Sequence, residues 1–284
     1  MVIIQTKSGR LANRLHIFSW FIANSIEHGY ALANPTFDEY CRYFPSTREN
    51  DFGDLPISVI APLNLPYKVF FPVTSILKRI KPSGKRYEFV RSEKSPSLNL
   101  NNPDFVRLAR TKNVYVSGWY FRDSKNMSKH KDIVRSLFTP DEEVMDRISN
   151  RFSRIRKKDH AIVGVHIRRG DYRRWQGGIY FLEDNEYAEK MKALEQHFNA
   201  EGKSVSFLLC SNEPVQAENF KEFLIHDGPG DMISDLYSLA ACDYVIGPPS
   251  TYSMWASFYG GKPLLHIRKE KQEMDLSSFD LRYP

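Results

Sequence analysis

An imidazole, two guanidiniums and a carboxylate follow one another in His166-Ile167-Arg168-Arg169-Gly170-Asp171-Tyr172, directly after the apolar run Ala161-Ile162-Val163-Gly164-Val165. A short β-branched run of that kind suits a strand buried on both faces of a parallel sheet. In open α/β sheets ligands collect beyond the carboxyl ends of the strands, so Arg168 and Arg169 would point into such a crevice. An arginine fork donates two parallel charge-assisted hydrogen bonds, which suits a diphosphate. The same residues also read as an exposed basic turn in which Asp171 pairs an arginine locally. Metal chemistry has no comparable signature. Asp38-Glu39 and Asp141-Glu142-Glu143 are adjacent acids without Asp-x-Asp spacing, and Asp51 and Asp54 read as solvated loop residues.

The elements that must position these groups alternate in the second half of the chain as in a doubly wound sheet. The strand 161–167 leads to a helix striped by Tyr187, Met191, Leu194 and Phe198, then to the strand Val205–Cys210. A helix carrying Ile233, Leu236 and Ala240 precedes the strand Tyr244-Val245-Ile246. The turn Gly247-Pro248-Pro249-Ser250-Thr251 opens a helix through Trp255 and Phe258, which stops at Gly260-Gly261 ahead of the strand Leu264–Ile267. This half reads as a nucleotide-binding Rossmann-type domain. The Gly-x-Gly-x-x-Gly fingerprint is missing, which argues against NAD or FAD.

In the first half, Val2–Gln5 reads as a strand. Leu11, Leu15, Phe18, Ile22 and Ile26 form a helical apolar stripe that Gly29 is placed to end. Between them Ser8-Gly9-Arg10-Leu11-Ala12-Asn13 makes a strand-to-helix turn whose amides could face an anion. Residues 34–105 show no clear periodicity. Val114-Tyr115-Val116 begins another strand, and Thr139-Pro140-Asp141-Glu142 is a strong helix start, with a capping threonine and proline at the first position. That helix should run to about Arg156, placing a domain boundary near 155, with domains over 1–155 and 156–284.

Composition agrees with two globular domains: 284 residues, 42% hydrophobic and 26% charged. The N-terminal apolar run is too short for a secretory signal and no stretch approaches a spanning helix, so a cytoplasmic location is expected. Cys41, Cys210 and Cys242 form no Cys-x-x-Cys pair and should be reduced thiols. Of the net charge of +6, the whole excess lies early: residues 1–150 hold 22 Lys and Arg against 15 Asp and Glu, and 151–284 hold 18 against 19. Lys68–Lys94 alone has eight basic and two acidic residues interleaved with apolar ones. That segment suits an anionic membrane surface, at about 1 kcal/mol per cation, or a solvated basic face. A nucleic-acid binder would need a basic stripe with stacking aromatics on a recognised module, and no such motif is present.

The chain resembles the α-1,2-fucosyltransferases, within the wider superfamily that includes the α-1,6 and protein O-fucosyltransferases. The His-x-Arg-Arg-Gly-Asp-Tyr pattern at 166–172 matches the group's most diagnostic motif. Ser8–Asn13 is similar to its N-terminal glycine-rich turn, Ser117-Gly118-Trp119-Tyr120-Phe121 to the block before the domain junction, and Phe207–Glu213 to a strand ending in serine and acids. Asp235-Leu236-Tyr237 with Ser250-Thr251-Tyr252-Ser253-x-Trp255 is similar to its C-terminal nucleotide block.

The resemblance implies a GT-B architecture, two Rossmann-like domains facing across a cleft, with GDP-fucose held mainly by the C-terminal one. It implies Arg168 as the main β-phosphate ligand, His166 beside phosphate and sugar, and Asp235, Ser250, Thr251 and Tyr252 on the donor side. Gly9 and Asn13 would approach from the other domain, and Arg169 and Asp171 would pair with each other or with the loop and brace Arg168. Ala12, Arg14 and Met254 stand where the family usually has glycine, glutamine and tryptophan, which leaves acceptor and linkage open. Another sugar, such as a rhamnosyl donor, would use the same phosphate machinery. The implied reaction is an inverting transfer to a hydroxyl of an oligosaccharide or lipid-linked glycan, with no cofactor or metal. Asp171 is the acid nearest in sequence for a catalytic base.

Overall fold

The computed structural model describes residues 1–80, 87–270, 272 and 274–281. Two units divide the chain, Met1–Asp141 and the remainder from Glu142. The first contains, in order, β1 (Val2–Ile4), α1 (Leu11–His28), β2 (Leu32–Ala33), α2 (Pro45–Arg48), β3 (Ile57–Ser58), α3 (Tyr67–Ile80), β4 (Tyr87–Ser92), β5 (Leu98–Asn99), α4 (Pro103–Thr111), β6 (Asn113–Gly118), β7 (Phe121–Arg122), α5 (Ser124–Lys129) and α6 (Lys131–Leu137). Its sheet runs β3-β2-β1-β6-β4 with every pairing parallel, and β5 and β7 pair separately.

Helix α1 buries the expected stripe of Leu11, Leu15, Phe18 and Ile22 and ends at Gly29, which is left-handed at φ 68° and returns its amide to the Ser25 carbonyl. The stretch without periodicity is ordered by packing instead. Phe37, Phe44 and Phe52 gather with Phe138 around Phe18, with Phe18–Phe37 and Phe18–Phe138 centroids 5.5 and 5.6 Å apart. Rings scattered across a hundred residues make one edge-to-face cluster, which no local pattern announces.

The second unit contains α7 (Glu142–Ile155), β8 (His160–Ile167), α8 (Asp184–Ala200), β9 (Ser204–Ser211), β10 (Ile225–Asp227), α9 (Met232–Ala241), β11 (Tyr244–Gly247), α10 (Thr251–Gly260) and β12 (Leu264–His266). Its parallel sheet has the order β10-β9-β8-β11-β12. Counted from β8 this is 3-2-1-4-5, the Rossmann order, in which β8 and β11 flank the switch point. Strand β8 is buried at every position from Ala161 to Ile167 because helices cover both faces. Val163, Val165 and Ile167 share one core with Tyr187, Met191, Leu194 and Phe198 of α8. Strand β10 has no counterpart in the sequence reading. It is a three-residue edge strand, too short for a period-2 pattern to show.

The unit boundary falls after Asp141 rather than near 155, because α7 packs on the second unit. Ile148 and Phe152 are buried, Arg151 donates to the Asp227 carbonyl, and Arg156 bonds Asp243 and the Ala241 carbonyl at 2.8 and 2.7 Å. The helix also starts at Glu142 rather than behind a Thr139 cap. The Thr139 hydroxyl instead bonds the Arg135 carbonyl at 3.1 Å, and Asp141 pairs with Arg48 at 2.7 Å. The three cysteines are unpaired, with Cys210 and Cys242 buried.

Candidate functional site

The carboxyl ends of β8 and β11 carry the two segments singled out by residue type, 166–172 and 247–252, one on each side of the switch point. His166 and Gly247 touch there: a side chain at Gly247 would meet the His166 Cβ and carbonyl at 2.9 Å. The His166 ring packs on Tyr252 at 4.9 Å, and the Tyr172 hydroxyl donates to the Pro249 carbonyl at 2.6 Å. The two segments are thus bonded to each other.

Around this seam Arg168 donates to Asp171 at 2.5 Å, its guanidinium 5.2 Å from the Tyr172 ring centroid. The pair is partly open to water, the Asp171 side chain being 56% exposed. It is therefore worth at most about 1 kcal/mol of stability, and its consequence is to aim the guanidinium. Arg169 behaves differently. Its fork is buried, taken by the Leu182 carbonyl and the Asp184 carboxylate, beneath the rings of Phe181 and Tyr187. Of the two expected arrangements the Arg169–Asp171 pair is not formed: Asp171 holds Arg168, and Asp184 from the start of α8 holds Arg169. With both arms spent inside the fold, the Arg169 guanidinium is a brace rather than a phosphate donor.

The backbone between the two arginines is fixed by residues the sequence reading did not assign. The Arg168 amide donates to the Tyr187 hydroxyl at 3.2 Å and the Arg169 amide to Asn212 at 2.9 Å. Tyr187 read only as part of a core stripe, and Asn212 lay in a matched block without a role. Two side-chain atoms in this seam are buried without a hydrogen-bond partner, His166 Nδ1 and Arg168 Nε. Orphaned buried polar atoms are rare and ask for a ligand or a reason. Burial holds the His166 imidazole well down, to about 3, with the Arg168 and His266 charges adding to the effect. It is neutral at physiological pH, so the Arg168 guanidinium rather than an imidazolium carries the positive charge at the seam.

Ser250 is the extended N-cap of α10, its Oγ accepting from the Tyr252 amide at 3.2 Å, and Thr251 is the first residue of the helix. The first turn of such a helix offers amide donors and the positive end of the dipole to an anion. The Tyr252 hydroxyl donates to the Met232 carbonyl at 2.7 Å, fastening α10 to α9. Asp235 in α9 is buried and accepts from the Gly230 amide at 2.9 Å. Desolvation raises its carboxyl to about 6. It shapes the loop before α9, and as a carboxylate it would repel a phosphate rather than hold one.

In the first unit the turn expected to face an anion also lies at a switch point, between β1 and β6. Gln5 donates to the Val116 carbonyl at 2.9 Å, and the Gly118 amide reaches Thr6 Oγ1 at 3.1 Å. Gly9 is left-handed at φ 65°, and a Cβ there would lie 2.2 Å from Asn13 Nδ2. Only glycine lets the turn close over Asn13. Arg14 is buried and donates to the Gly9 and Thr36 carbonyls at 3.3 and 3.0 Å while pairing with Glu39 at 3.0 Å. Lys7 pairs with Asp38 and Glu39 at 2.7 and 2.5 Å. The acids at 38–39 are therefore neutralised by neighbours, and a charged residue beside an apolar helical stripe was the signal for it. Among the described residues no group of three or more His, Cys, Asp or Glu is placed to hold a metal ion.

The chain is similar to known glycosyltransferases. Galactoside alpha-(1,2)-fucosyltransferase 1 of Bos taurus is 26% identical over 154 residues, which is 48% of this chain and 41% of that protein. The O-antigen biosynthesis glycosyltransferase WbnK of Escherichia coli is 24% identical over 217 residues, 71% of this chain and 66% of its own length. The chain thus spans about two fifths to two thirds of these relatives. Among solved structures, a mutant of Arabidopsis thaliana FUT1 in complex with GDP superposes with a TM-score of 0.64 at 13% identity, covering 98% of this chain and 73% of that one. POFUT1 in complex with GDP gives 0.55 at 14%, covering 94% and 98%. Fucosyltransferase NodZ from Bradyrhizobium gives 0.53 at 15%, covering 93% and 94%. Likeness at this identity shows the fold, the GT-B class with its two Rossmann-like units. Because the family model matches residues 52–275, most of both units, the chain belongs to glycosyl transferase family 11.

Proposed function

We propose that the protein transfers L-fucose from GDP-fucose to a hydroxyl of an acceptor glycan, with inversion and without a metal. One observation carries the reading: Arg168, with its orphaned Nε, and the start of α10 converge at the switch point between β8 and β11. As the bond from sugar C1 to the β-phosphate oxygen breaks, negative charge grows on that phosphate. A guanidinium and helix amides fixed in advance stabilise the transition state more than the ground state. The neutral His166 supplies a hydrogen bond beside the phosphate and adds no charge. Asp171, committed to Arg168, acts as the aiming group, and the acceptor's proton leaves late to a weak base.

The bovine relative's name supports a 2-linkage on a galactoside, and two of the solved relatives are complexes with GDP. A screen of GDP-fucose, GDP-rhamnose and UDP-sugars against oligosaccharide acceptors, with linkage analysis of the product, tests the reading. Turnover with a rhamnosyl or UDP donor and none with GDP-fucose would overturn it.

The acceptor's setting follows from α3. Phe70 and Thr74 dock this helix, Thr74 Oγ1 accepting from Gln5 at 2.8 Å. Val69, Val73 and Ile76 are 47%, 41% and 54% exposed and lie at i, i+4 and i+7, one outward apolar stripe. Lys68 flanks it, and Lys78, Arg79 and Lys81 follow in sequence. An apolar helix face beside Lys68, in a segment whose sequence is basic, suits the interface of an anionic bilayer, where a lipid-linked glycan would be held. Residues 81–86 of the basic segment lie outside the described residues. No described helix is long and apolar enough to cross a membrane. The location proposed is peripheral, on the cytoplasmic face.

A further inference from the structure

Trp175 stands 43% exposed on the segment that leaves the Arg168–Asp171 pair, and Ile179 is 54% exposed four residues on. Large apolar side chains grouped on one exposed segment can form a contact surface. The indole is held in place. The rings of Tyr172 and Tyr180 lie 5.1 and 5.2 Å from it, each tilted by 33°. The backbone beneath is closed by bonds from the Gly177 amide to the Arg174 carbonyl and from the Phe181 amide to the Gly178 carbonyl, both 3.1 Å. Gln176, Gly177 and Gly178 are successively left-handed, at φ 48°, 70° and 76°. Arg173 ties the segment to Glu213 at 2.7 Å. At the other end Tyr172 is buried, its hydroxyl on the Pro249 carbonyl and its ring beside Arg168. One ladder of rings therefore runs from the phosphate-facing residues to the surface.

We infer that Trp175, backed by Tyr180, is the platform on which a pyranose ring of the acceptor glycan stacks, an inference that rests on the transfer proposed above. A pyranose presents an apolar C–H face and a rim of hydroxyls, and an exposed indole matches that apolar face. In the donor, the sugar carbon is joined directly to the β-phosphate, while the base lies beyond the α-phosphate and the ribose. Trp175 lies one tyrosine away from Arg168, the group proposed to meet the phosphate to which the sugar is joined. The competing occupant is the guanine base.

The experiment compares the full chain with Trp175→Ala and Trp175→Phe, each saturated with GDP, on an array of galactose-, N-acetylglucosamine- and fucose-terminated oligosaccharides. GDP-induced thermal shift is measured in parallel. Trp175→Ala should weaken glycan binding roughly tenfold, Trp175→Phe by a few-fold, and the GDP shift should be the same in all three. Unchanged glycan binding in Trp175→Ala, a lost GDP shift in that variant, or no glycan bound by the wild-type protein would each overturn the platform. A wild-type GDP shift that persists in those cases leaves the donor site standing, so the two failures are distinguishable. Hydroxyl-radical footprinting of the wild-type chain gives a reading that needs no variant. Trp175 oxidation should fall with GDP plus glycan and not with GDP alone, and oxidation unchanged by glycan also overturns the inference.

Discussion

Adjacent arginines at 168 and 169 are identical in type and opposite in employment. Arg168→Lys keeps the charge and loses the fork, so turnover should fall roughly 100-fold with the melting temperature unchanged. Arg169→Lys cannot reach both the Leu182 carbonyl and Asp184, and should lose about 2 kcal/mol of stability with a smaller loss of turnover. Near wild-type turnover in Arg168→Lys would sink the phosphate assignment. Two buried groups make the pH dependence of stability separable. His166 prefers its neutral form when folded and titrates near 6.5 when unfolded, so its contribution is present above about pH 6.5 and is lost as pH falls toward 3. His166→Phe should flatten that acid limb in a series of melting curves. Asp235 is shifted the other way, to about 6, so its contribution is present below about pH 4 and is lost as pH rises through 6. Asp235→Asn keeps an acceptor for the Gly230 amide. It should melt higher than wild type at about pH 7.5 and no higher at about pH 4, and an equal gain at both would show that charge is not the cause.

Helix α3 is the element whose exposed face is hardest to explain by folding alone. Its inner residues Phe70 and Thr74 satisfy the first unit, and the stripe of Val69, Val73 and Ile76 is left in water. Val69→Glu with Ile76→Glu should abolish sedimentation with vesicles containing acidic lipid and leave the fold intact, because these side chains stabilise nothing inside. Binding of the wild-type protein should fall with salt, since exposed charges are screened beyond about 10 Å at 0.1 M. Equal binding to neutral vesicles would return α3 to an ordinary solvated face.

For the whole molecule, the proposed function requires that protein groups alone meet the diphosphate of GDP. GDP at 100 times its dissociation constant should stabilise the chain by about 2.7 kcal/mol, and EDTA should not change the shift. An EDTA-sensitive shift would mean that a cation completes the site.

Much of this was legible in residue order because it is local chemistry. The β-branched run before His166, the stripes of α1 and α8, and the start of α10 at Ser250-Thr251 each depend on neighbours within a turn or a strand, and the structure keeps them where the sequence places them. What the sequence could not determine depends on residues brought together from afar. It did not show that Asp184 rather than Asp171 receives Arg169, that Tyr187 and Asn212 fix the arginine backbone, or that the phenylalanines of 34–105 close on Phe18. Nor did it show that α7 belongs to the unit that follows it. Side-chain type sets which bonds a group can make, but the winner among several equally suitable partners is chosen by distance, and distance exists only once the sheet order β10-β9-β8-β11-β12 has brought the strand ends together.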